Sequence, residues 1–71
     1  MNADLFKATV AKYKILRHIH GNEGLFAHTT CSSLATFNRR MADPRKMELE
    51  LFCEIMEALN VPYEERFNII K

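Results

Sequence analysis

A chain of 71 residues that is 48% hydrophobic and 27% charged has the make-up of a globular protein and excludes a disordered or fibrous one. Its formal charge of +1 excludes a uniformly basic coat or an acidic tail, and no apolar run approaches the eighteen or so residues of a membrane span. At about 0.05–0.15 kcal/mol per residue, one domain of this length holds about 4–10 kcal/mol of stability, near the lower end for unaided folding.

Only two Gly and two Pro occur, which leaves little turn chemistry from which to build a sheet. An all-α fold of five helices in a single domain, residues 1–71, is expected. Asp4 is placed to cap a first helix running to about Ile19. Leu5, Phe6, Val10, Tyr13 and Leu16 form its apolar stripe, with Lys7, Lys14 and His18 opposite. Gly21 then supplies a left-handed stop and Asn22 a cap for the next helix.

The second helix is expected over about Glu23 to Thr30. The third covers about Ser33 to Met41, capped by Ser32 or Ser33. Pro44 disfavours the helical state at Asp43, so residues 42–46 read as a loop. The fourth helix spans roughly Glu48 to Leu59, with Leu49, Phe52, Ile55, Met56 and Leu59 inward and Glu50, Glu54 and Glu57 outward. Val61-Pro62 opens a last short helix, whose Tyr63, Phe67 and Ile70 recur at helical spacing and are expected to close the core.

Two short helices joined at a tight corner between Glu23 and Met41 have the layout of a helix-turn-helix, a device that lays its second helix against a DNA groove. Arg39, Arg40, Arg45 and Lys46 cluster from the end of the third helix into the loop, while four glutamates lie on the fourth. That polarity favours an anionic partner on one side. Cys31 and Cys53 are expected as buried free thiols in a reducing compartment. The opening Met-Asn-Ala-Asp has no secretory signal pattern, so the expected location is the cytoplasm. His18 and His20 stand about 200° apart on a helix, and His28 with Cys31 makes only a pair. No metal ligand set, cofactor, small-molecule substrate or catalytic residue is expected, and the chain reads as a non-enzyme.

From Thr36 onward, TFNRRMADPRKMELELFCEIMEALNVP resembles the second half of the Cro and repressor type (Xre-like) helix-turn-helix domains of phages and prophages. The likeness extends more weakly back to about residue 12. It implies that Ala27 packs between the two motif helices, that Phe37 pins the recognition helix to the core, and that Cys31 stands at the corner where the family usually has Gly. Thr30 and Ser32 replace buried aliphatic residues, so a less well-cored motif is expected. With Phe37 inward, Ser33, Leu34, Ala35, Asn38 and Arg39 face outward.

The resemblance implies a small transcriptional regulator of a phage genetic switch, active in a bacterial host and dimeric on operator DNA. Asn38 would read adenine and Arg39 guanine or phosphate, with Arg40, Arg45 and Lys46 on the backbone. Leu34 and Ala35 cannot make bidentate base contacts, and Glu23 stands where the family often has Gln near a phosphate. These departures open a second expectation. An exposed Leu34–Ala35 pair beside Asn38 and Arg39 suits a protein groove, so the same helix is read alternatively as that of an antirepressor binding a partner repressor protein.

Overall fold

A computed structural model describes all 71 residues. It contains five α-helices and no strand: α1 Ala3–Leu16, α2 Gly21–Phe26, α3 Leu34–Ala42, α4 Leu49–Leu59 and α5 Tyr63–Ile70, with a 3-10 turn at Pro44–Lys46. The radius of gyration, 10.9 Å, matches the roughly 11 Å expected of a compact chain of this length. No helix is long and apolar enough to cross a membrane.

The cap of α1 is Asn2, not Asp4: its side chain accepts a hydrogen bond from the Leu5 backbone N–H at 3.0 Å. The buried face of α1 is Phe6, Thr9, Val10 and Tyr13, whereas Leu5 and Leu16 are exposed. Thr9 takes the inward position that apolarity alone assigned to those two leucines. The helix also ends earlier than Ile19. His18 adopts the left-handed conformation (φ 57°), its N–H bonding to the Ile15 carbonyl while that of Ile19 bonds to Lys14. This 6→1 and 5→2 pair is a Schellman stop. Gly21 is left-handed too (φ 66°), but it opens α2 rather than closing α1.

The interior is one cluster of Phe6, Val10, Tyr13, Leu25, Phe37, Leu51, Phe52, Ile55, Met56, Leu59, Val61 and Ile69. Phe6 and Phe52 lie tilted at 5.9 Å, and Phe26 meets Phe37 edge-on at 5.6 Å, the offset geometries that ring quadrupoles favour. No buried side-chain polar atom lacks a partner. Met41 and Met47 pack against the rim of this core and Met56 lies inside it.

Four expectations need correction here. The tight corner is absent: residues 27–33 form a seven-residue connector between α2 and α3. Ala27 is exposed and does not pack between the motif helices; the tight glycine of α2 is Gly24, where an added Cβ would stand 3.3 Å from Ile19 Cγ2 in the segment before the helix. Cys31 carries no left-handed strain, since His18 and Asn60 alone among non-glycine residues have positive φ. It is half-buried, and Cys53 is exposed. In α4 Leu51 is buried and Leu49 faces outward.

The α5 reading inverts as well. Tyr63, Phe67 and Ile70 do share a stripe, but that stripe points out of the molecule and Ile69 enters the core. The opposite face of α5 is already held against α1: Asn2 N–H donates to Ile69 O at 2.8 Å, Tyr13 Oη donates to Glu65, and Lys12 pairs with Glu65 at 3.4 Å. Arg17 from the end of α1 donates to the Leu59 and Asn60 carbonyls at 2.9 and 3.2 Å. It thereby satisfies acceptors that the end of α4 leaves open.

Candidate nucleic-acid interface

Ser33 starts α3 in extended backbone, and its Oγ accepts the Thr36 N–H at 3.2 Å. Ser33 therefore acts as the N-cap. Its hydroxyl in turn donates to Thr36 Oγ1 at 3.0 Å, which also accepts from Arg39 Nη2 at 3.1 Å. The guanidinium of Arg39 is thus laid along the helix edge. With Phe37 fully buried, the helical period turns Ala35, Asn38, Arg39 and Ala42 outward, and all four are exposed.

Leu34 departs from the expected exposed face. It is half-buried and packs against the core, because its position lies on the flank nearer Phe37. Arg40 also departs: it is half-buried, and its Nε pairs with Glu48 Oε1 at 2.8 Å. That hydrogen bond, with one from the residue's own backbone, holds the Glu48 carboxyl below its usual pKa. Arg40 thus joins α3 to the start of α4. Arg45 is exposed and reaches Asp43 at 3.4 Å, a pairing that solvent renders nearly neutral in energy. Lys46 is exposed.

The fold brings three further polar residues to this surface. Lys14 Nζ donates to Asn22 Oδ1 at 3.3 Å, and Asn22 Nδ2 donates to Asn38 Oδ1 at 3.0 Å. This relay runs from α1 through α2 to α3. Asn38 keeps a second lone pair and both amide hydrogens for a ligand. Lys7 and Lys14 line a recess with Asn22, Asn38 and Ala42, and Lys7 adjoins Arg45 across a second recess. The sequence places Lys7 and Lys14 two turns apart on one side of α1, yet only the packing of α1 beside α3 sets them at the border of Asn38.

Lys7 and Lys14 thus border the face of α3 that carries Asn38, and Arg45 and Lys46 follow in the turn after it; Asp4 and Asp43 line the same recess as Lys7 and Arg45, and Glu48, Glu50 and Glu54 share a recess with Thr36. The carboxylates of Glu50, Glu54, Glu57, Glu64 and Glu65 belong to α4 and α5. No protein-family model, curated protein or solved structure matches this chain.

Proposed function

We propose that this chain is a small DNA-binding regulator of the helix-turn-helix class that presents α3 to the major groove, with an extended connector in place of the usual tight turn. The observation that carries the reading is the outward α3 face, where the exposed Asn38 and Arg39 are flanked by Lys7 and Lys14 of α1, while Glu48, Glu50 and Glu54 keep to the edge that Thr36 borders. Arg39 has the fork that matches guanine O6 and N7, Asn38 the amide that matches adenine, and Ala35 a methyl suited to thymine. Lys7, Lys14, Arg45 and Lys46 fix register through phosphates, which supply affinity without sequence information. One domain of this size reads few base pairs, so a homodimer on a two-fold operator follows.

The alternative, in which α3 binds a partner repressor, rests on the expected exposure of the Leu34–Ala35 pair, on the near-zero net charge and on Glu23, which stays exposed at the start of α2. With Leu34 packed against the core, the tip of α3 offers mainly Ala35 as apolar contact, and the DNA reading is the better supported. Titration of the chain against labelled duplex flanking its own gene tests it. Four phosphate contacts per protomer would contribute about −3.6 per protomer to the log–log slope of affinity against salt. Arg39→Ala should weaken a specific site by about 1–3 kcal/mol and relax its base preference. Absence of salt-dependent binding at micromolar protein would sink the proposal.

A further inference from the structure

Tyr63, Phe67 and Ile70 recur at the spacing of a packed helix face, yet they are 76%, 66% and 47% exposed. They form one wall of a groove of about 700 Å³ floored by Phe52, with Cys53 of α4 opposite. An adjoining recess shares Cys53 and extends the apolar surface to Leu49, itself 66% exposed. Aromatic side chains carry roughly 150–250 Å² each, so the two rings alone expose about 200–350 Å² of mostly apolar surface. Contiguous patches of this order mark interaction sites on small domains.

The groove is already ordered for a partner. The Arg66 guanidinium lies 4.5 Å from the Tyr63 ring centroid, and it is itself fixed by Val61 O at 2.7 Å and Glu57 Oε1 at 3.0 Å. A ring held in this way loses little conformational freedom on binding. The rim is acidic. Glu64 borders the groove, and Glu50, Glu54 and Glu57 line the recess beside it. Glu57 pairs with Arg66, while Glu54 accepts from Thr30.

We propose that the α4–α5 groove docks an amphipathic helix from another protein, one with an apolar ridge at i, i+3 or i+4, i+7 and Lys or Arg along its flanks. Charge selects this occupant. A second copy docked through the same face would bring two clusters of Glu50, Glu54 and Glu64 into one interface, and an anionic membrane would meet the same repulsion. A basic-flanked helix pairs with that rim while its ridge covers Tyr63, Phe67 and Ile70, the helix-in-groove mode of recognition. The proposal stands apart from the DNA reading, because none of its residues lies on α3.

Selection from displayed peptides tests it. The probe is a library of amphipathic helices about 16 residues long, or roughly four turns, with a Leu/Ile/Phe ridge and flanking positions randomised between Lys and Glu. Lys-flanked sequences should be enriched on the immobilised chain. Their binding should fall about tenfold or more with Phe67→Ser or Tyr63→Ser, the loss expected of an aromatic anchor. Both variants replace exposed rings, and circular dichroism checks that they stay folded. Glu50→Lys with Glu64→Lys should turn the selection toward Glu flanks, and Arg39→Ala should leave it unchanged. The proposal is overturned by no enrichment, by preference for Glu flanks on the unmodified chain, or by equal binding to Phe67→Ser. A sedimentation dimer that Phe67→Ser dissolves would also overturn it, since a second copy would then cover the groove.

Discussion

Phe37 lies where α3 meets the interior, fully buried and edge-on to Phe26. Phe37→Ala should cost about 3–5 kcal/mol of folding stability, a large part of what a 71-residue domain holds; urea unfolding measures it. Tyr13 and Glu65 pose a different problem, that of protonation. The Tyr13 hydroxyl donates to Glu65, which holds that carboxyl below its usual pKa; Lys12 contributes further. The same hydrogen bond is the leading cause that raises Tyr13 above 10.0, followed by burial. For Glu65, as for Glu48, the native state binds its proton less tightly than the unfolded chain does. The stability they contribute is present above about pH 4.5 and is lost as pH falls through their lowered native values. Tyr13 works in the opposite sense, its contribution being lost as pH rises through its raised value. Tyr13→Phe should therefore flatten both the acid and the alkaline limb of the urea midpoint plotted against pH. An unchanged acid limb in that variant would remove the pair from the account.

At the scale of the elements, the helix ends explain where sequence reasoning succeeds and fails. The end of α4 matches the Schellman pattern completely. Asn60 is left-handed (φ 52°), its N–H bonds to Glu57 O, that of Val61 bonds to Met56 O, and the buried Val61 and Met56 side chains supply the usual apolar contact. Asn60→Val should destabilise the fold by about 1–2 kcal/mol through strain at positive φ. Asn60→Gly should be tolerated, and thermal melts of the two variants separate them. α1 stops on His18 by the same device, which a rule favouring Gly or Asn cannot find when Gly21 lies three residues on. Helix periodicity was legible because burial imposes it: Phe6, Val10, Tyr13, Phe37, Phe52, Ile55, Met56 and Leu59 are all inside. Periodicity reports a stripe, however, and not which neighbour covers it. Hence Tyr63, Phe67 and Ile70 read as core from their spacing, as does Leu49, although Leu51 is the buried one of the two leucines. Of the candidate site, Ala35, Asn38 and Arg39 were legible from the phase set by Phe37. The engagement of Arg40 with Glu48, and the arrival of Lys7, Lys14 and Asn22, depend on tertiary packing that one helix at a time does not reveal.

Across the whole molecule, the charge of +1 conceals a division of labour among the cations. Arg17 and Arg66 converge on carbonyls around the end of α4, and Arg40 ties α3 to Glu48, so three arginines are engaged within the fold. Beside α3, Lys7 and Lys46 have no ion-pair partner in the fold, and Arg45 has only the exposed pairing with Asp43. Besides Arg40 with Glu48, a second contact links that side to the acidic helix. Glu54, on α4, accepts from the Thr30 backbone N–H at 3.2 Å and from Thr30 Oγ1 at 2.6 Å, in the middle of the connector that leads into α3. The connector has no helix of its own to resist local opening, and this carboxylate is one of the groups that hold it, beside the Thr29 hydroxyl on Phe26 O. Glu54→Ala should speed amide hydrogen exchange across residues 28–33 and leave α4 and α5 as protected as before. Glu54 thereby ties the segment leading into α3 to α4, through a side chain that touches no ligand in the proposed DNA complex.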